Sequence, residues 1–213
     1  MSKELVHKDW NDISISLYKE IVEITERDIT PVEKDLAVLA LLMGISEEEV
    51  YDMGVSELSE LRFQMEFLDN FKFNENWKSK KIVLNGKTYE VCVDLTKFSI
   101  AQYVDFQTYW AKKDNISYMS NLLSCFIIPK GKKYNTDYEI TETINDIENY
   151  LPITVANSVL FFFLKESLSS IKVFQTCLDW KIKRMKNKKN KEKVEKLQEK
   201  MKVMWEAVFN GLV

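Results

Sequence analysis

Helix start and stop signals divide the first 70 residues, and they limit the fold more than any other feature of the chain. The Thr-Pro-Val-Glu stretch at Thr30–Glu33 has the residue types of a helix N-terminus: a capping threonine, a proline in the first turn and a glutamate that reaches back to the cap. Gly44 is placed to end that helix, and Ser46–Glu49 repeats the capping pattern. The sequence therefore predicts a series of capped helices.

The rest of the chain continues this pattern, and its five Gly and three Pro favour long regular elements. Ser99 is expected to cap a helix in which Tyr103, Phe106, Gln107 and Trp110 recur at three- to four-residue spacing. The predicted helices are Ser14–Arg27, Pro31–Met43, a short one ended by Gly54, Glu57–Asn70 capped by Ser56, Ile100–Lys112, Ile116–Ile128 stopped by Pro129, about Ile140–Tyr150, and a stretch from Ile153 to about Lys186.

One β-hairpin interrupts the helices at about Lys80–Val93. Asn85 and Gly86 separate two strand-like runs, and Asn-Gly is favoured in a two-residue hairpin turn because both positions need a positive φ. The apolar residues expected on one face are Ile82, Leu84, Tyr89, Val91 and Val93. Since two strands alone are marginally stable, we expect the hairpin to pack on the helices.

The C-terminal quarter has a coiled-coil-like apolar repeat. The two sets that follow the repeat are Ile171, Phe174, Leu178, Ile182 and Met185, and then Val194, Leu197, Met201, Met204 and Val208. A polar break, KNKKN, separates them and predicts an antiparallel helical hairpin. The predicted fold is mostly α: a helical body with an inserted β-hairpin at residues 1–165, and a basic helical hairpin at residues 166–213.

The segment Lys181–Lys202 carries eleven Lys or Arg and three Glu, in a chain whose formal charge is −3. One interpretation is a solvated helix face or a protein interface, since Lys keeps its charged head in water. The other is nucleic-acid contact, which the glutamates and the lack of interleaved aromatics disfavour. The residues predicted for such a contact are Lys183, Arg184, Lys186, Lys188, Lys189 and Lys191.

Several function classes are disfavoured by what the sequence lacks. Cys92, Cys125 and Cys177 are far apart, which supports neither a zinc site nor a disulfide framework. His7 is the only histidine, so histidine-based catalysis and His-rich metal sites are not expected. The apolar run Ile153–Leu164 is too short for a bilayer span, and the N-terminus has no apolar signal segment. We expect no cofactor, no metal, no membrane contact and no enzymatic activity.

Two further groups of residues have side chains suited to chemistry. Glu90, Asp94 and Asp105 are carboxylates of the kind that hold Mg²⁺ in nucleases, but no spacing rule links them. The loop Pro129–Asn135 holds three Lys and one Gly, and it does not match the phosphate-binding P-loop pattern. Solvated charges are the expected interpretation of both.

The Leu-Phe-Phe-Phe-Leu stretch is apolar on all sides of a helix. Such a helix is buried either in the core of its own chain or in a partner. The residues predicted for partner binding, with core packing as the alternative, are Phe161, Phe162, Phe163 and Leu164.

Four stretches resemble small proteins encoded in the structural-gene regions of tailed phages, especially those of Bacteroidetes-type hosts. The stretches are Asp35–Leu61, Leu84–Trp110, Leu123–Asn135 and Leu151–Ser167, and the resemblance covers roughly residues 14–170. Some of these proteins are similar to tail assembly chaperones. The resemblance implies a phage morphogenesis protein that acts in the host cytoplasm or in the virion. It carries over no residue with a chemical role.

Three functions follow as hypotheses. The first is a chaperone-like protein that binds other phage structural proteins through apolar helix faces. The second is a resident virion component, either a head–tail connector ring subunit, and thus a homo-oligomer, or a packaged cargo protein. The third is a nucleic-acid-binding module that uses Lys181–Lys202.

Overall fold

The computed structural model describes residues 4–92, 94, 97–112, 114, 116–163 and 165. This part of the chain is mostly helical and has a small antiparallel sheet. Its helices are α1 (Ile15–Glu26), α2 (Pro31–Met43), α3 (Glu47–Tyr51), α4 (Val55–Gln64), α5 (Ile100–Trp110), α6 (Met119–Ser124), α7 (Ile140–Tyr150) and α8 (residues 153–163), with a 3₁₀ turn at Met65–Asp69; its strands are β1 (Lys81–Leu84), β2 (Lys87–Val91) and β3 (Ile127–Pro129).

The capping signals place most of the helix starts correctly. Thr30, Ser46 and Ser99 each accept a hydrogen bond from the amide three residues on, and the residue there bonds back to the cap amide. Gly44 ends α2 with a φ of 66°, a left-handed conformation that glycine adopts without strain. The predicted boundaries of α1 and α2 are confirmed.

The prediction for the fourth helix was wrong at both ends. It begins at Val55, after Gly54 as an N-cap without a side-chain hydrogen bond, so Ser56 lies inside the helix. It stops at Gln64, and a 3₁₀ turn occupies Met65–Asp69. The extended backbone of Gly54, with φ −71° and ψ 149°, precedes the first helical residue, and no serine caps this helix.

Replacing Ser46 and replacing Ser56 are therefore expected to have different effects on stability. Ser46→Ala removes a cap whose Oγ accepts from the Glu49 amide at 3.2 Å, and we expect it to lower the free energy of unfolding by about 1 kcal/mol. Ser56→Ala, in the first turn of α4, is expected to change it by less than about 0.5 kcal/mol. Urea unfolding followed by circular dichroism measures both. Equal losses for the two variants would contradict the observed cap assignment.

The predicted hairpin forms, but the sheet has three strands. Asn85 and Gly86 have φ values of 48° and 72°, as the two-residue turn requires. Ile82 pairs with Tyr89 across the hairpin, and Val83 on the other face of β1 is exposed. β3 pairs antiparallel with β2, giving the order β1-β2-β3. The described residues of the predicted apolar face do share one side of the sheet.

The third strand corrects the predicted helix Ile116–Ile128. The helix there is only α6, and the chain then extends so that the Cys92 amide donates to the Phe126 carbonyl at 2.8 Å. Lys130 likewise donates to the Thr88 carbonyl at 2.9 Å. The β-branched pair before Pro129 suits a strand, and the proline fits because β3 lies at the edge of the sheet.

The helices pack around a core with the sheet at its side. α1 contacts α2 and α7, α7 also contacts α6 and β1, and the Ile153 amide donates to the Ile13 carbonyl at 2.8 Å. Fully buried side chains in this core include Ile13, Leu39, Leu123, Ile147 and Leu151. Lys19 Nζ lies 2.7 Å from Glu148 Oε1 and joins α1 to α7.

The predicted C-terminal helical hairpin and domain 166–213 lie outside the described residues. So do the six basic residues predicted for nucleic-acid contact and the a/d repeat. Of the helical stretch predicted from Ile153 onward, the structure describes α8 and the helical residue Lys165.

Candidate interaction site

α5 carries an exposed apolar stripe on its outer side. Ile100, Tyr103 and Val104 are 86%, 47% and 53% exposed. Residues three and four apart lie on the same side of a helix, so these three side chains form one face. We call them the α5 face. A solvent-exposed apolar face on a helix is typical of a protein-contact surface.

The opposite side of α5 is anchored in an aromatic cluster. Phe106 is 3% exposed, and its ring centroid lies 5.7 Å from that of Phe126 and 5.1 Å from that of Phe163. The side-chain Nε2 of Gln102 donates to the Cys125 carbonyl at 2.6 Å, so the first turn is fixed as well. The α5 face is therefore presented on a rigid base, which limits the entropy lost on binding.

The residues of the three- to four-residue spacing do not share one buried side of this helix. Phe106 is buried, but Tyr103 and Gln107 are exposed, and Gln102, which is outside that spacing, is buried. Because α5 has apolar residues on both sides, spacing alone does not reveal which side faces the core.

A basic cavity lies at the start of α5. Its volume is about 500 Å³, and it is lined by Lys97, Ser99, Ala101, Gln102, Ile128, Lys132, Lys133, Tyr134, Asn135 and Thr136. We call it the lysine cavity. Lys97 forms an ion pair with Asp94 at 3.2 Å. Within residues 4–163, as far as they are described, Lys132 and Lys133 are in no ion pair. Ser99, Ala101 and the buried Gln102 also line the cavity, so its lysines lie at the N-terminal end of α5.

A buried polar chain holds one wall of the lysine cavity in place. Tyr134 is 7% exposed, and its hydroxyl donates to Asp105 Oδ2 at 2.9 Å, which ties the loop after β3 to α5. Cys125 Sγ lies 3.7 Å from the Tyr134 oxygen. Burial raises the pKa of the Cys125 thiol to about 12, so it stays protonated at neutral pH and is a poor nucleophile. The arrangement suits a structural role.

The carboxylates considered at the sequence level do not form a metal site. Glu90 is exposed on β2, and Asp105, expected to be exposed, is half-buried and bound by Tyr134. In the part of the chain that the structure describes, no three His, Cys, Asp or Glu side chains are grouped to hold a metal ion.

A second buried carboxylate, Asp146 on α7, connects the hairpin to the helices. It is 5% exposed and accepts hydrogen bonds from Tyr89 Oη at 2.6 Å, Lys87 Nζ at 3.0 Å and Asn85 Nδ2 at 3.2 Å. Burial alone would raise the pKa of Asp146, but these hydrogen bonds outweigh it and lower the pKa below its usual value. Both oxygens of the carboxylate accept hydrogen bonds from the protein, so the cluster is structural.

The predicted partner-binding phenylalanines lie at the end of α8. Phe163 is 2% exposed and packs in the aromatic cluster, as the core-packing alternative expected. Phe161 is half-buried with its ring centroid 5.5 Å from that of Phe73, and Phe162 is half-buried too. Leu164 lies outside the described residues. The exposed apolar side chains of α5 offer a partner more surface than Phe163 does.

The lysine cavity was not predicted. Its lysines come from the segment before α5 and from the loop after β3, which are more than 30 residues apart in the chain. The sequence signals for its parts were present, namely the Ser99 cap and the basic loop. The loop follows β3, which pairs with β2, and the Tyr134–Asp105 hydrogen bond ties it to α5.

Comparison with known proteins finds no relative. No family model, no curated protein and no solved structure matches the chain. No described helix combines the length and apolar character needed to cross a membrane.

Proposed function

We propose that this protein is a non-catalytic morphogenesis protein of a tailed phage, which binds other virion proteins through apolar helix surfaces in the manner of a tail assembly chaperone. The observation that carries the binding role is the α5 face, three exposed apolar side chains on a helix whose other side is locked in the core. The phage context comes from the resemblance of four stretches of sequence.

Protein binding fits this surface better than chemistry on a small molecule. The exposed stripe lies on the outside of a helix, where it can enter a groove on a partner. The buried Tyr134 hydroxyl and the half-buried Asp105 carboxylate on α5 bond to each other. Cys125 is a protonated thiol. The α5 face therefore offers apolar contact area to a partner rather than a reactive group.

The α5 face predicts a specific loss of binding. Ile100→Glu combined with Val104→Glu places two charges on the stripe, and desolvating them at an interface is unfavourable. We expect at least a tenfold weaker complex, about 1.4 kcal/mol, with the partner encoded beside this gene. Co-expression with each neighbouring structural protein, followed by titration calorimetry, measures the change.

Val83→Glu is the matched control, because Val83 is 67% exposed on β1 and lies outside the α5 face. It is expected to leave binding unchanged. A complex that survives the double substitution while both variants keep the parent's thermal melt would contradict the proposed surface. So would the absence of any complex with the neighbouring structural proteins.

The alternative functions keep their own tests. Mass spectrometry of purified particles separates an assembly helper from a resident connector or cargo protein, since only the latter stays in the virion. A role for Lys181–Lys202 in nucleic-acid binding predicts a DNA complex whose affinity falls steeply with salt. Both remain predictions, and the basic segment lies outside the described residues.

A further inference from the structure

We infer that the lysine cavity binds a small molecule through a di- or triphosphate group. The cavity is a different place from the α5 face, because Ile100, Tyr103 and Val104 are not among the residues that line it. Binding there would add a small-molecule site to the proposed protein contact and does not depend on that contact.

The lining of the cavity is cationic. Lys97 comes from the segment before α5, and Lys132 and Lys133 come from the loop after β3. None of the ten described residues that line the cavity is an Asp or a Glu, although the chain has 33 of these and 30 Lys or Arg. Like charges gathered from separate segments repel one another, so an anion between them lowers the electrostatic energy.

The carboxylates bonded to this lysine set leave two of its ammonium groups available. Asp94 forms an ion pair with Lys97 at 3.2 Å. Asp137 accepts a hydrogen bond from the backbone amide of Lys133 at 3.3 Å, not from its side chain. In the described part of the chain neither Lys132 nor Lys133 is in an ion pair. Their positive charge is therefore not neutralised by the protein.

The first turn of α5 adds backbone donors beside the lysines. Ser99 Oγ accepts from the Gln102 amide at 3.1 Å, and the amides of Ile100 and Ala101 have no partner within the helix. Ala101 lines the cavity. Amides at the start of a helix favour a bound anion. In this cavity they supplement the three lysines.

The cavity has a fixed wall and the size for a small ligand. Its volume of about 500 Å³ lies within the usual range of small-molecule sites. Gln102 and Tyr134 are 4% and 7% exposed, and they are held by hydrogen bonds to the Cys125 carbonyl and to Asp105. Because this wall is already in place before a ligand arrives, less entropy is lost on binding.

These features favour an oligophosphate over an anion with a single charged group. Lysine binds phosphate oxygens as a point charge, and cations from two separate segments suit an anion that carries several charges along its length. An inorganic oligophosphate and a nucleotide share this chemistry, so both are used as probes.

Titration of the full chain with inorganic pyrophosphate tests the inference, with calorimetry for the affinity and amide NMR shifts for the place. We expect a Kd on the order of 0.1 to 1 mM in about 100 mM salt. The amides of Ala101, Lys132 and Lys133 should shift. Sulfate is expected to bind at least about tenfold more weakly, because it is shorter and carries less charge. ATP that binds more tightly than pyrophosphate assigns the site to a nucleotide, and equal affinities assign it to an inorganic oligophosphate.

Two matched double variants show whether the cavity is the site. Lys132→Ala with Lys133→Ala is expected to weaken pyrophosphate binding about tenfold or more. Lys80→Ala with Lys81→Ala is the control, since it removes two adjacent exposed lysines outside the cavity and changes the net charge equally. It is expected to weaken binding less than about twofold. The basic segment Lys181–Lys202 is intact in both variants, so anion binding there affects them equally.

The outcomes are separate from those for the α5 face, which is tested on protein partners. Absence of pyrophosphate binding up to about 10 mM, ten times the weakest expected Kd, overturns the inference. Equal losses in the two double variants, equal affinity for sulfate, or amide shifts confined to residues outside the cavity lining overturn it too. A tenfold loss in the cavity variant alone, with the parent's thermal melt kept by both variants, supports it.

Discussion

Replacing Phe163 by alanine is expected to lower the free energy of unfolding by about 3–5 kcal/mol, the usual range for removing a buried phenylalanine. The ring is 2% exposed, and its centroid lies 4.5 Å from that of Phe126 and 5.1 Å from that of Phe106. Its removal would leave a cavity between α8, α5 and the segment that leads into β3. The anchored side of α5 would lose part of its base.

Chemical unfolding followed by tryptophan fluorescence measures this effect. Phe162→Ala is the matched control. The Phe162 side chain is half-buried, so its removal should lower the free energy of unfolding clearly less than the removal of Phe163. Equal losses at the two positions would contradict the packing described for α8. A stable Phe163→Ala protein that no longer binds a partner would instead return this residue to a binding role.

Asp146→Ala is the second substitution with a large expected effect. We expect it to lower the free energy of unfolding by about 3 kcal/mol. Removing the carboxylate leaves the buried Tyr89 hydroxyl without its acceptor and separates Lys87 from its buried partner. The substitution also removes three of the hydrogen bonds that join the hairpin to α7 and leaves the exposed Lys87–Glu142 ion pair. The first consequence should therefore be local, in the strands β1 and β2.

Hydrogen exchange of the β1 and β2 amides, together with urea unfolding, tests this prediction. Glu142→Gln is the control, because Glu142 is an exposed partner of Lys87 and its change should cost less than about 1 kcal/mol. An Asp146→Ala protein as stable as the Glu142→Gln protein would show that the buried cluster contributes little.

The same carboxylate predicts a direction for the pH dependence of stability. Its pKa is lower in the folded state than the usual 3.8, so the folded state stabilises the charged form. The contribution of Asp146 to the free energy of unfolding is fully present when the pH is well above 3.8. It is lost as the pH falls through 3.8 toward the lower pKa of the folded state. Asp146→Asn should therefore show a smaller loss of stability on acidification than the parent chain.

The sequence predicted helix caps and the hairpin turn correctly where the residues that give the pattern are also the residues that form the structure. The Thr30, Ser46 and Ser99 caps and the Asn85-Gly86 turn formed as predicted, because a cap or a two-residue turn is complete within four residues. Ser56 failed as a predicted cap because α4 starts at Val55, two residues before the predicted start at Glu57.

The third strand required information from a distant part of the chain. The Ile127–Pro129 segment has the length of a helix end or of a strand, and the neighbouring β2 edge decides between them by supplying hydrogen-bond partners. The same pairing carries Lys132 and Lys133 to the start of α5. The residue spacing within the segment before α5, or within the loop after β3, does not predict that these two segments meet.

The amino-acid sequence by itself determined the helical class, the capped helix starts and the hairpin turn, because these depend on contacts between near neighbours. Tertiary structure alone decided which side of α5 faces the core, that Phe163 is buried and that Lys97, Lys132 and Lys133 line one cavity. These properties depend on which surfaces meet after folding. A helix such as α5, apolar on both sides, has no sequence signal for that choice.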